Sequence, residues 1–203
     1  MTWVRVVLTW ITLTITLSVP LIAAAASPLL AWRDPIYIAA GFAGILAMIL
    51  LLVQPLLVGG YLPGISARRA RQLHRGIGAI LVLSVLVHVI GLWITSPPDV
   101  IDSLLFASPT PFSAWGVIAM WAIFAAALLG ALKSRLRLRP STWRFGHTAL
   151  AVVTFVGCVV HAMLIEGTME IISKVLICLL LLVAIVKTLA DLRVWVMRTR
   201  GRM

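Results

Sequence analysis

The 203-residue chain is 62% hydrophobic and 11% charged, with a formal net charge of +11 at pH 7. Soluble domains are roughly half apolar and a quarter charged, so this composition is that of a membrane protein and leaves no room for a soluble catalytic domain. The positive charge does not call for a nucleic-acid partner, because that reading needs a folded basic domain and the arginines sit in short segments between apolar runs.

A membrane-spanning helix needs about 20 mainly apolar residues. Six segments qualify, at approximately 5–26, 36–58, 75–95, 112–132, 145–165 and 171–191, with no connection longer than about 17 residues. The first carries one arginine, a long apolar stretch and then AAAAS (23–27), which has the look of a cleavable secretory signal. Its apolar run exceeds the 7–15 residues typical of a signal core, so an uncleaved helix bent at Pro20 is expected. The second span opens at Pro35, a residue that starts helices well but cannot continue them.

The third span contains LHRGIGAILVLSVLVH (73–88), an apolar run with His74 near its start and His88 at its end. The segment that follows, SPPDVIDSLLFASPTP (96–111), is too short to cross a membrane and is expected at the outer interface. A fourth span follows Pro111, and Pro140 marks the start of the fifth. The fifth repeats the pattern of the third in HTALAVVTFVGCVVH (147–161), with His147 and His161 again 14 residues apart. These four are all the histidines of the chain. The two cysteines, Cys158 and Cys178, fall inside spans and outside any C-x-x-C-H pattern, which excludes covalent c-type haem and leaves them as small buried residues.

Charge placement gives the orientation. Arg68, Arg69, Arg71 and Arg75 precede the third span, Lys133, Arg135, Arg137, Arg139 and Arg144 precede the fifth, and Arg193, Arg198, Arg200 and Arg202 lie in the tail. The opposite loops hold Arg33 and Lys174 with Asp34, Asp99, Asp102, Glu166 and Glu170. Cytoplasmic loops are enriched in Lys and Arg, so both termini and the two basic loops are expected in the cytoplasm.

Fourteen residues at 100° each bring the second histidine of a helix back to within about 40° of the first, with a rise of about 21 Å. Each helix therefore offers one imidazole towards each membrane face. If the third and fifth spans are neighbours, His74 faces His147 near the cytoplasm and His88 faces His161 near the outside. A single histidine in a membrane helix is often a packing or hydrogen-bonding residue. Polar groups in hydrocarbon are nevertheless costly and usually functional, and here every one belongs to a matched pair at matched depth. A tetrahedral zinc needs its ligands about 2 Å from one centre, which histidines about 21 Å apart cannot share. A proton relay would want acids between the histidines, and neither span has any. Haem fits better, since two axial imidazoles complete an iron already held by four porphyrin nitrogens. Gly78, Ser84, Ala151 and Gly157, one turn from the histidines, are expected to make room for a porphyrin, although small residues are also common at helix contacts. Arg75 and Arg144 stand beside the inner pair as equal candidates for propionate binding and for simple topology anchors.

RRARQLHRGIGAILVLSVLVHVIG (68–91) and WRFGHTALAVVTFVGCVVHA (143–162) resemble the ferric reductase-like transmembrane domain, the membrane part of ferric reductases, NADPH oxidases and a periplasmic methionine sulfoxide reductase system. The resemblance covers all six spans in outline and spans three and five in motif. It implies an all-α, six-helix membrane domain over residues 1–203 in an inner membrane. Two b haems would be bound by His74 with His147 and by His88 with His161. Electrons would pass from NAD(P)H and a flavin (FAD or FMN) on the cytoplasmic side to an acceptor outside. No G-x-G-x-x-G nicotinamide fingerprint occurs, so a separate cytoplasmic flavoprotein donor and an outer redox partner are expected, the chain being an oxidoreductase subunit. The sulfoxide-reductase branch tends to lack the first histidine of span three, and His74 favours the general ferric reductase-like group. A quinol-oxidising cytochrome b and a haem transporter or sensor remain as alternatives.

Overall fold

The computed structural model describes residues 3–200, with side chains described through Leu192, so the tail arginines Arg193, Arg198, Arg200 and Arg202 fall outside the described side chains. The described residues form helices α1 (Trp3–Ala25), α2 (Pro35–Val58), α3 (Ala67–Thr95), α4 (Pro97–Leu104), α5 (Pro111–Ala131), α6 (Lys133–Leu136), α7 (Pro140–Leu164) and α8 (Ile171–Arg200), with one short 3-10 turn at Pro28–Leu30 and no strand. Six of these helices (α1, α2, α3, α5, α7 and α8) are long and apolar enough to cross a membrane.

Local chemistry explains where the helices start. Asp34 caps α2 by accepting hydrogen bonds from the Ile36 and Tyr37 amides at 2.7 and 3.3 Å, and Pro35 fills the first turn, where no amide hydrogen is needed. Ser66 caps α3 through the Arg69 amide at 3.4 Å. Proline again occupies the first turn of α5 and of α7. The Glu170 carboxylate accepts from the Ile172 and Ser173 amides, both at 2.6 Å, and these bonds hold its pKa below the ordinary glutamate value. Because the caps precede the apolar runs, α3 and α7 begin several residues before the hydropathy does. The outer segment 96–111, expected only as interfacial, contains the eight-residue helix α4.

Packing divides the bundle into two helix pairs, α2 with α3 and α5 with α7, and α8 lies across α2 and α7. The third and fifth spans do not pack directly on each other: α3 and α7 make no extensive contact and instead stand opposite one another, each backed by its own partner. The core runs along α2, where Ile45, Met48, Ile49, Leu51 and Leu52 meet Phe155 of α7 and Ile177 and Leu181 of α8. Gly157 allows α7 to close on α5, since a Cβ there would stand 3.0 Å from the Trp115 carbonyl and 3.1 Å from Ala119 Cβ. Helix α1, which runs unbroken through Pro20, buries only Pro20 and Ala24 and touches α2 and α8. Outward residues such as Ile80, Leu83, Val183 and Val186 are at least half exposed and apolar, as a lipid-facing surface requires.

With six spanning helices, the connections Gly59–Ser66 and Leu132–Arg139 share one face of the bundle. The far end of α8 reaches the same face, where the Tyr61 hydroxyl donates to Asp191 at 2.6 Å and Lys187 pairs with Asp191 at 3.0 Å.

Candidate functional site

Helices α3 and α7 present their histidines in step. They open at Ala67 and Pro140, seven residues ahead of His74 and of His147. Those two rings meet near the basic face with centroids 6.2 Å apart and planes inclined by 70°. His88 and His161, nearly four turns further along each helix, line one cavity of about 260 Å³ near the opposite face. The inner rings therefore meet and the outer ones share a cavity, although the two helices are not packed together.

The outer pair is held by backbone carbonyls. His88 Nδ1 lies 2.7 Å from the Ala40 carbonyl of α2, and His161 Nδ1 lies 2.9 Å from the Phe112 carbonyl of α5. A carbonyl oxygen only accepts, so each Nδ1 must carry the proton and each Nε2 keeps a free lone pair. One turn beyond each carbonyl stands a glycine that makes this approach possible. A Cβ on Gly44 would be 3.0 Å from His88 Nδ1, and a Cβ on Gly116 would be 2.6 Å from His161 Nδ1. Both imidazoles lean on the bare backbone of a neighbouring helix, with the proton turned away from the cavity. Phe112 adds an edge contact to His161, centroid to centroid 5.8 Å.

The inner pair is supported differently on its two sides. Gln54, buried on α2, sets its side-chain amide 2.5 Å from His74 Nδ1. With the nitrogen turned to the ring, the oxygen accepts from the Gly78 amide at 3.1 Å. An amide offers oxygen or nitrogen by a half-turn, so Gln54 can serve either tautomer of His74. His147 Nδ1 is buried and, among the described residues, makes no hydrogen bond of good geometry, though the Ala126 backbone lies near the ring. Its ring is held by stacking instead: Trp143 lies parallel at 5.2 Å and 10°, donates its indole N–H to the Leu129 carbonyl at 3.2 Å, and carries Lys133 Nζ at 4.1 Å over its own ring. Arg75 and Arg144 are exposed at this level and make no ion pair among the described residues.

The chemistry open to these imidazoles follows from their ligand count. Among the described residues no cluster of three or more His, Cys, Asp or Glu side chains exists, so a bare tetrahedral metal ion at either pair would lack half of its coordination shell. A haem brings four nitrogens of its own and asks the protein for two. Two imidazoles on one metal through bonds of roughly 2.0–2.1 Å have centroids about 6.3 Å apart, and the 6.2 Å spacing of His74 and His147 agrees. The outer cavity is walled mainly by apolar side chains, among them Met48, Leu81, Val117 and Ile123, with Cys158 also in its lining. The residues present therefore fit a porphyrin at the outer level by cavity and chemistry, and at the inner level by ring spacing.

At the outer level the small residues expected beside the histidines, Ser84 and Gly157, do not line the cavity. Gly157 serves the α5–α7 contact instead, and at the inner level Gly78 lies under Gln54. The space comes from Gly44 and Gly116, on helices that carry no histidine. A signal for them exists in the sequence: the interval from Gly44 to Gly116 is one residue short of the interval shared by His74 to His147 and His88 to His161.

A family model described as "Ferric reductase like transmembrane component" matches residues 40–158, taking in His74, His88 and His147 and ending three residues before His161. Comparison with curated proteins and with solved structures gave no match. The matched stretch is more than half of the chain and holds the α2–α3 pair, the whole of α5 and most of α7, and on that footing the chain belongs to the ferric reductase-like transmembrane family.

Proposed function

We propose that this protein is a di-haem b-type cytochrome that carries electrons singly across an inner membrane, from a cytoplasmic flavoprotein or NAD(P)H-linked donor to an acceptor outside. His74 with His147 and His88 with His161 are the axial ligands. The observation that carries the proposal is the state of the outer imidazoles: acceptor-only carbonyls keep both protons on Nδ1 and leave both Nε2 lone pairs free. Family membership supports transmembrane electron transfer as the use of such a site.

A haem ligated on both sides supplies one-electron iron chemistry with no open coordination position, so a relay is favoured over substrate activation. The chain's own tasks are then to fix ring orientation, keep water out and set the local field. Ala40, Phe112 and Gln54 orient three of the four imidazoles, and Trp143 clamps the fourth. Arg75 and Arg144, beside the inner pair, are suited to anionic groups there. The basic loops are assigned to the cytoplasm by their charge, which puts the His74–His147 level inside and the His88–His161 level outside.

The deciding experiment is a reduced-minus-oxidised spectrum with haem quantification on purified protein. Two low-spin b haems per chain, extractable in acid acetone, are expected. His88→Ala should leave one. A wild-type protein with a single haem, or an H88A variant that keeps two, would overturn the ligand assignment.

A further inference from the structure

One charged side chain in the outer cavity has no counter-ion. Lys174, in the first turn of α8, is 7% exposed and lines the same cavity as His88 and His161. Its ammonium donates to the Ile165 carbonyl at 2.9 Å, which uses one of its three hydrogens. Among the described residues the one ion pair is Lys187 with Asp191, so no carboxylate neutralises Lys174. The acids nearest in sequence are otherwise placed. Glu170 spends its carboxylate on the Ile172 and Ser173 amides, and Glu166 is exposed. Next to the lysine in sequence, Ser173 Oγ is buried and, among the described residues, has no hydrogen-bond partner. Burying a lone ammonium is costly unless something anionic joins it. A topology anchor would not need to be buried, and on the outer face it would count against the charge pattern that orients the chain.

We propose that Lys174 is the anion-binding group of the outer site and holds a carboxylate belonging to whatever occupies the cavity. Two sources share that chemistry: a propionate of the outer haem, which rests on the haem reading above, and a carboxylate of an anionic acceptor. An N⁺–H···O⁻ contact in a buried setting is among the stronger hydrogen bonds available to a protein and fixes orientation as well as charge.

The test compares wild type with Lys174→Gln, which can still donate to the Ile165 carbonyl but carries no charge, and with Lys174→Arg, which keeps the charge. Haem content is measured first, then the midpoint of each haem by equilibrium titration, the propionate bending band by resonance Raman, and the KM for ferric citrate beside that for hexaammineruthenium. If the carboxylate is the haem's, K174Q shifts the Fe(III)/Fe(II) equilibrium of the outer haem tenfold towards Fe(III), about 59 mV for one electron. It also moves the propionate band, and K174R restores both. If the carboxylate is the acceptor's, the band stays and KM rises about tenfold for citrate alone. A K174Q protein with neither the band nor the citrate KM changed overturns the proposal, even if its midpoint moves, because an unpaired charge acting at a distance would do that much. A wild-type protein without an outer haem would overturn the haem reading instead, and the citrate comparison would then decide Lys174 by itself.

Discussion

Gly116→Ala is the sharpest perturbation of the outer site, because the structure supplies its own control in Gly44→Ala. Contacts of an added Cβ become ordinary at about 3.4 Å; the new methyl would stand 2.6 Å from His161 Nδ1 in one case and 3.0 Å from His88 Nδ1 in the other. Atoms that overlap repel steeply, so the His161 ring must retreat by about 0.8 Å and the His88 ring by about 0.4 Å to restore ordinary contact. Moving away along their hydrogen bonds, they would stretch the His161–Phe112 distance from 2.9 to about 3.7 Å and the His88–Ala40 distance from 2.7 to about 3.1 Å. The first is beyond hydrogen-bond reach and the second is within it. Losing the partner of a metal-bound histidine typically lowers affinity about 10- to 100-fold, so G116A should bind its outer haem that much more weakly while G44A stays within a few-fold of wild type. Alanine is the better helix former by roughly 0.8–1.0 kcal/mol, so helix propensity gives neither variant a reason to unfold. The assay is haem per chain across a detergent dilution series, with the low-spin α-band recorded at each step. Equal losses in the two variants, or full retention in both, would refute the argument that glycine sets ring position here.

Three further outcomes follow from the inner level and the two faces. Gln54→Leu removes the amide beside His74 Nδ1 and should weaken the inner site alone, about 10-fold or more, leaving the outer α-band intact; loss of both haems together would show that Gln54 holds the bundle rather than the ring. A cysteine introduced beside Arg137 should react only with cytoplasmic reagents and one beside Asp102 only with external ones, and labelling in the opposite sense would reverse the assigned direction of transfer. Changing Arg135, Arg137 and Arg139 to Gln should slow reduction by the physiological donor, most at low salt, and leave dithionite reduction unchanged, because exposed charges steer over a screening length of roughly 10 Å at about 0.1 M salt. Equal rates across the salt series would assign those arginines to topology and lipid contact.

The spans are legible in the sequence because lipid imposes length and hydropathy together. The expected segments 36–58 and 171–191 match Pro35–Val58 and Ile171–Leu192 to within a residue. Helices α3 and α7 start eight and five residues earlier than expected, since a hydropathy window closes where the arginines begin while the helix continues back to its cap at Ser66 or its proline at Pro140. The histidine pairs are legible for a similar reason: spacing along one helix fixes height and face. Helix neighbours are not. A residue facing lipid and a residue facing another helix are equally apolar in such a chain, so nothing in α3 says that its partner is α2. Gly44, Gly116 and Gln54 escape a reading of the histidine helices because they act from different helices, through contacts distant in sequence. Lys174 reads as an outer-loop charge; its burial depends on how α8 meets the cavity, which sequence does not contain.

The separation of α3 from α7 has a consequence for how the protein is made. Each hairpin, α2–α3 or α5–α7, carries one histidine of each pair, and the hairpins meet through α3 with α5 and through the α2 core with Phe155 of α7, while α3 and α7 themselves are not packed together. Neither can complete a site alone, and the second leaves the ribosome only after the whole of the first has emerged. On the proposed function, a cofactor held between α3 and α7 would add a further fastener between the two hairpins. By mass action a ligand at about 100 times its Kd adds about 2.7 kcal/mol to the form that binds it. Cells short of the cofactor should accordingly accumulate inserted but poorly joined hairpins, which membrane proteases would remove, so that the steady-state amount of the protein tracks cofactor supply without any change in transcription.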